Sequence, residues 1–106
     1  MGKRRPARPS SSTPRTLHGA VVVAEVDLHG FTVERAEARV ESFLRTWSVR
    51  EPGAVVRIIT GRGARSDGRA ALQDAIRTAL SGWARDWVVD WSVDRGAGAY
   101  LVRLRR

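Results

Sequence analysis

Val26-Asp27-Leu28-His29-Gly30 places a carboxylate and an imidazole two residues apart at the end of an apolar run. The preceding residues, Ala20-Val21-Val22-Val23-Ala24, are mostly β-branched, which predicts a buried strand. Because side chains alternate along a strand, Asp27 and His29 should point to one side and Leu28 to the other, into the core. The strand therefore ends in an acid and an imidazole on one face, a position where α/β folds commonly carry their chemistry.

The pattern of apolar residues predicts two strand-helix units and then two further strands. Gly30 allows a turn, and Thr32 is a candidate N-cap for a first helix of about four turns. The apolar stripe of this helix comprises Val33, Ala36, Val40, Phe43, Leu44 and Trp47. The later elements are a strand at 54–60, a glycine-rich basic loop at 61–68, a helix carrying Leu72, Ala75, Ile76, Ala79, Leu80 and Trp83, and strands at 87–93 and 99–104.

The order β-α-β-α-β-β predicts an α/β sheet whose first two strands are parallel, with both helices on one face. Right-handed crossovers place the turns after these two strands at the same end of the sheet. We therefore expect Asp27 and His29 to lie near Gly61 and Gly63.

The net charge of +8 is concentrated at the start of the 106-residue chain. Residues 1–17 carry five basic side chains and no acid, whereas the other 89 residues carry fourteen basic and eleven acidic side chains. Rich in proline and serine, residues 1–17 are predicted to be a disordered arm before one domain at 18–106. Such an arm is typical of polyanion binding, because phosphate neutralisation releases counterions. A solubilising tail or arginine-rich codon usage explains the composition equally well.

The sequence contains no cysteine, which excludes disulfides and thiolate metal sites. It also has no apolar stretch approaching the roughly 18–20 residues that span a bilayer, and no signal-peptide pattern. We therefore expect a cytoplasmic protein that makes no membrane contact. The oligomeric state is left open.

Three short motifs follow one another along this frame: Val26-Asp27-Leu28-His29-Gly30-Phe31-Thr32-Val33-Glu34-Arg35-Ala36, Ile58-Ile59-Thr60-Gly61-Arg62-Gly63 and Gly96-Ala97-Gly98-Ala99-Tyr100-Leu101-Val102-Arg103-Leu104. In this order they resemble the Smr (small MutS-related) domain, with its patterns L-D-L-H-G-x-x-x-x-E-A, T-G-x-G or H-G-x-G, and G-x-G-x-x-x-V-x-L. The resemblance spans roughly residues 24–105, so the chain is interpreted as a stand-alone Smr domain. It implies an α+β two-layer sandwich with a four-stranded mixed sheet, similar to the C-terminal domain of translation initiation factor three. It also implies nucleic-acid binding and, as in several members, cleavage of DNA or RNA.

The resemblance implies that Asp27 and His29 are the catalytic residues. Phosphodiester cleavage needs a group that moves a proton near neutral pH, and an ordinary imidazole titrates at about 6.5. RNA supplies its own 2′-hydroxyl nucleophile, so no cofactor is predicted for it, whereas DNA cleavage would more readily need Mg²⁺ or Mn²⁺. No protein metal cage is predicted, because the only other histidine, His18, is interpreted as a bystander.

The glycine-rich loop is the candidate nucleic-acid contact. Gly61 and Gly63 allow backbone amides and a helix N-terminus to face a phosphate, and Arg62, Arg65 and Arg69 add positive charge. A tight turn that only requires positive φ explains either glycine taken singly. The loop is longer than the common family form, which could alter substrate choice.

The four tryptophans are interpreted as packing residues rather than as base-stacking platforms. Trp47 and Trp83 continue the apolar stripes of the two helices, and Trp87 and Trp91 share the face of the third strand.

The leading functional hypothesis is an endonuclease of RNA or DNA. The alternatives are a non-catalytic nucleic-acid-binding adaptor, which would bind in a salt-sensitive way without turnover, and a small interaction domain with no nucleic-acid role.

Overall fold

A computed structural model describes residues 17, 19–61, 69–94, 96 and 98–106. Within these residues the chain forms four strands and two α-helices in the predicted order. A turn of 3₁₀ helix, Trp83–Asp86, separates the second helix from the third strand. The elements are β1 (Val22–Asp27), α1 (Val33–Arg50), β2 (Val55–Ile59), α2 (Arg69–Ser81), β3 (Val88–Asp94) and β4 (Ala99–Leu104).

The four strands form one mixed sheet in the order β1-β2-β4-β3. β1 and β2 run parallel, as a helical crossover through α1 requires. β4 pairs antiparallel with β2 on one side and with β3 on the other. The predicted α+β sandwich with a four-stranded mixed sheet is therefore confirmed.

Both helices pack on the same face of the sheet and build one core with it. Val40 and Leu44 of α1, Ile76 of α2, and Ile58 and Val102 of the central strands are fully buried there. Their spacing of three or four residues on the helices and two on the strands is what places them on one face. In the part of the chain that the structure describes, no helix is long and apolar enough to cross a membrane.

β1 lies at an edge of the sheet, and its burial differs from the prediction of a buried strand. Val22, Val23 and Ala24 are only half-buried, and Val21 is 81% exposed. An edge strand has a neighbour on one side only, which leaves part of each side chain in water. The apolar run is the same for an edge and a central strand, so the sequence did not distinguish them.

The opposite face of the sheet is partly covered by the segment before β1. Leu17 is buried against Val55 and Leu101, and its backbone N–H donates to Ser92 Oγ at 3.3 Å. The sequence assigned Leu17 to the N-terminal arm, whereas it packs on the sheet. Residues 1–16 and His18 lie outside the described residues, so the disordered arm stays a prediction.

Trp83 is 41% exposed, so its predicted place in the core is wrong. α2 ends at Ser81, and Gly82 takes a non-helical conformation (φ −128°, ψ −104°) that interrupts the apolar stripe. In the 3₁₀ turn that follows, Ala84 is fully buried instead. The other three tryptophans, Trp47, Trp87 and Trp91, pack against the core as predicted.

Candidate active site

The carboxyl ends of β1 and β2 lie side by side at one end of the sheet, which is the edge meant below. Asp27 pairs in register with Ile59, and the N–H of Leu28 donates to the Ile59 carbonyl at 2.7 Å. The start of β4 reaches the same edge, because the N–H groups of Thr60 and Gly61 donate to the Gly98 carbonyl at 2.9 and 3.0 Å. The fold thus brings Asp27 and Gly61 to one edge, as the crossover argument predicts.

A tight turn of residues 28–31 carries His29 away from the core. The N–H of Phe31 donates to the Leu28 carbonyl at 3.0 Å, and Gly30 has φ +83°. Type II turns place this left-handed value on their third residue, which explains the glycine. Leu28 is fully buried, while the side chain of His29 is 73% exposed.

Substitution of Gly30 by alanine should strain this turn without a steric clash. A Cβ at Gly30 meets nothing within 4 Å, so the expected loss of about 1–2 kcal/mol in the free energy of unfolding comes from the positive φ alone. Gly19 (φ +92°) is a matched control, because its Cβ would also meet nothing within 4 Å. Urea denaturation should show similar losses for Gly30→Ala and Gly19→Ala. Only Gly30→Ala should raise the pKa of Asp27, and equal pKa values in the two variants would contradict this account of the turn.

Asp27 and His29 form a hydrogen-bonded pair. His29 Nδ1 lies 2.7 Å from Asp27 Oδ1, and the backbone N–H of His29 donates to the same oxygen at 3.1 Å. These two bonds, the side-chain bond first, lower the pKa of Asp27 from its ordinary value of 3.8 against a small opposing effect of desolvation. The lowered pKa keeps the Asp27 carboxylate ionised at neutral pH. An anion at Nδ1 favours the proton on that nitrogen, so Nε2 is left to exchange protons with a substrate.

The lowered pKa of Asp27 gives a prediction about pH. Its carboxylate contributes stability above the ordinary pKa of 3.8, and this contribution is lost as the pH falls through the lower value in the folded protein. Titration followed by the ¹³C resonance of the Asp27 carboxyl should give a midpoint below 3.8 in the wild type. His29→Ala should raise that midpoint, because the side-chain bond is its main cause. An unchanged midpoint would show that the imidazole does not hold this carboxylate.

Most of the predicted nucleic-acid loop lies outside the described residues, including Arg62, Gly63 and Arg65. Arg69 begins α2, and its side chain is likewise outside the description. Gly61 has φ +119°, and its carbonyl accepts a bond from Gln73 Nε2 at 3.4 Å. Because its N–H is also bonded within the fold, Gly61 fixes the point from which the loop leaves the sheet. Phosphate binding by the loop stays a prediction.

Arg35 is a cation near this edge that the sequence reasoning missed. Its guanidinium lies 4.9 Å from the centroid of the Phe31 ring, a cation–π contact. Its backbone N–H donates to Thr32 Oγ1 at 3.2 Å, which confirms Thr32 as the N-cap of α1. Helical periodicity does not predict this contact, because Phe31 lies in the turn before the N-cap Thr32 and only Arg35 is in the helix.

Comparison with known proteins identifies the family to which this arrangement belongs. The sequence model of the Smr domain family matches residues 26–105 of the chain. The structure is similar to the crystal structure of the Smr domain of Thermus thermophilus MutS2, with a TM-score of 0.63 and 30% sequence identity, covering 79% of this chain and 100% of that chain. A search of curated proteins found no match. On the family model and the structural match together, the chain belongs to the Smr domain family.

Proposed function

We propose that this domain is an endonuclease of RNA or DNA in which His29 transfers the proton and Asp27 orients the imidazole. The observation that carries the proposal is the 2.7 Å contact between His29 Nδ1 and Asp27 Oδ1, on a histidine side chain that is 73% exposed. Exposure at an open edge suits a polymeric substrate, which could not enter a closed pocket. Membership of the Smr family, whose domains generally bind nucleic acid, supports the substrate class.

With RNA, the pair can act without a further group. Nε2 of the neutral imidazole takes the proton of the 2′-hydroxyl, and the 2′-oxygen attacks the adjacent phosphorus. The bond from phosphorus to the 5′-oxygen breaks, and that oxygen takes a proton from the solvent or from the imidazolium. The products are a 2′,3′-cyclic phosphate and a 5′-hydroxyl. Asp27 stabilises the imidazolium, because its carboxylate stays ionised throughout.

With DNA, the 2′-hydroxyl is absent and water must be the nucleophile. A divalent ion would lower the pKa of that water and neutralise phosphate charge. Among the described residues no group of three His, Asp or Glu side chains is arranged to hold a metal. Asp27, with its side chain 51% exposed, is the residue that would hold such an ion together with phosphates of the substrate, a mode that Mg²⁺ commonly uses.

The glycine-rich loop is proposed to hold the substrate backbone. Gly61, whose position is described, starts this loop at the same edge as the Asp27–His29 pair. Arg62, Gly63, Arg65 and Arg69 follow it in the sequence and supply the charge and backbone amides that bind phosphates.

The test is a panel of substrates incubated with the wild type and with His29→Ala. Single-stranded RNA, duplex DNA and branched DNA are each supplied with magnesium, manganese or a chelator. We expect cleavage of at least one substrate by the wild type and a much slower cleavage of the same substrate by the variant. Cleavage of RNA in chelator with cyclic phosphate ends would establish the route through the 2′-hydroxyl, whereas cleavage confined to DNA with metal would establish the second route.

A non-catalytic adaptor is the outcome that would replace this proposal. It predicts salt-sensitive binding to the same substrates, with no cleavage product under any of the conditions tested. Binding that is equal in the wild type and in His29→Ala, with turnover in neither, would decide for the adaptor.

A further inference from the structure

A cavity of about 260 Å³ lies at the opposite end of the sheet from the Asp27–His29 pair, where β2 begins and β4 ends. Three arginines and no acidic side chain line it, the full lining being Gly53, Val89, Arg103, Leu104, Arg105 and Arg106. A second cleft shares Val89 and Arg105 with it and adds Arg85, together with one acid, Asp90. We call Arg85, Arg103, Arg105 and Arg106 the arginine cluster.

Backbone carbonyls hold two of these guanidinium groups in place. Arg103 Nη1 donates to the Gly53 carbonyl at 3.0 Å, and Arg105 Nε donates to the Arg85 carbonyl at 2.8 Å. Within the described ranges, neither forms an ion pair with a carboxylate. Carbonyl bonds fix the side chains without neutralising their charge, and they leave further N–H donors on each guanidinium.

Three arginines outside the cluster have their charge balanced by a carboxylate. Arg45 pairs with Glu41 and Arg77 pairs with Asp74 on the helix surfaces. Arg57 lies between Glu25 and Asp94 on the sheet. The cluster therefore combines fixed guanidinium groups with uncompensated charge around a cavity, which is the arrangement that binds phosphate groups.

We propose that the arginine cluster is a second binding site for phosphate groups of a nucleic-acid strand, an inference that rests on the proposed nucleic-acid substrate. Strands of five or six residues separate it from the Asp27–His29 pair, or roughly 17–20 Å at 3.3 Å per residue. This distance corresponds to about five or six phosphates along one strand of a duplex. The domain thus binds its substrate at both ends of the sheet and favours long substrates over short ones.

The experiment is fluorescence anisotropy of a labelled 20-base-pair duplex and a 20-nucleotide single-stranded RNA over a series of salt concentrations. The cluster variant is Arg105→Gln with Arg106→Gln. Its control is Arg45→Gln with Arg77→Gln, which removes the same charge from paired arginines. We expect the cluster variant to bind several-fold more weakly, and the slope of log affinity against log salt to fall by about one for each phosphate that the protein no longer neutralises. Arg105→Lys with Arg106→Lys keeps the charge and should restore the salt slope, but only part of the affinity, because lysine lacks the Nε–H that bonds the Arg85 carbonyl. Equal Tm values exclude unfolding as the cause.

Three outcomes would overturn the inference. The first is equal affinity and equal salt slope in the cluster and control variants, and the second is a loss of affinity for a three-nucleotide probe as large as that for the long substrates. The third is saturable binding of inorganic phosphate at the cluster, with nucleic-acid binding unchanged in the cluster variant. The last result would assign the site to a free anion. Because binding is measured without turnover, a protein that cleaves nothing but binds more weakly in the cluster variant would reject the proposed nuclease and retain the second site. If His29→Ala abolishes cleavage but the cluster variant binds like the wild type, the proposed nuclease is retained and the second site is rejected.

Discussion

His29→Ala should reduce cleavage by about 10²–10⁴-fold, the range over which a positioned acid or base contributes to catalysis. The variant removes Nε2, the nitrogen that the Asp27 contact leaves available to the substrate. It should not remove the fold, because the side chain is 73% exposed and such surface substitutions usually change stability by less than about 0.5 kcal/mol. The measurement is single-turnover cleavage with the protein in saturating excess over the substrate, which separates chemistry from binding.

Two further variants sharpen the test. Asp27→Asn keeps the size of the side chain but removes the anion that orients Nδ1, so we expect a smaller loss of rate than in His29→Ala. With RNA as the substrate, the double variant should resemble His29→Ala alone, because there Asp27 acts through the imidazole. His18→Ala, which changes the other histidine of the chain, should cleave like the wild type. Full activity in His29→Ala would end the proposal, and a loss in His18→Ala would overturn the interpretation of His18 as a bystander.

Leu28→Ala should cost about 2–5 kcal/mol of unfolding free energy. Leu28 is fully buried and belongs to the main core together with residues of both helices. Truncation removes methyl groups from a core where neighbours can refill the space only in part. Urea denaturation should show a lower midpoint with little change in slope.

Val21→Ala is the matched control for Leu28→Ala. Val21 belongs to the apolar run that leads to Leu28 but is 81% exposed, so its truncation should change stability by less than about 0.5 kcal/mol. A small loss in Leu28→Ala would mean that the end of β1 packs loosely. A large loss in Val21→Ala would mean that this residue is covered in solution.

Much of the fold follows from local pattern. Alternation at Asp27, Leu28 and His29 predicts the buried leucine between two exposed polar residues, and the structure has this arrangement. The parallel pairing of β1 with β2 follows from the helical crossover that connects them. The glycine after His29 predicts a turn, and its φ of +83° confirms the turn.

The remaining features depend on residues that are distant in the sequence. Whether β1 is an edge or a central strand depends on where β3 and β4 insert, and the run at 20–24 does not specify that position. Trp83 continues the apolar spacing of α2, but the helix ends at Ser81 and Gly82 interrupts it. The apolar pattern therefore extends beyond the end of the helix. The arginine cluster forms where the turn after α1 meets the end of β4, since Gly53 and Arg103 are far apart in the chain. Local periodicity does not encode such contacts.

Where β1 ends and the turn begins, a residue that stabilises the core, Leu28, lies between two exposed residues, Asp27 and His29. A change at Leu28 lowers the stability of the whole domain, whereas changes at Asp27 and His29 alter exposed side chains outside the core. Substitutions at Asp27 and His29 can therefore change the chemistry of this surface while the packing of the core is kept. For protein engineers, the same arrangement allows the surface pair to be redesigned separately from the residue that stabilises the fold.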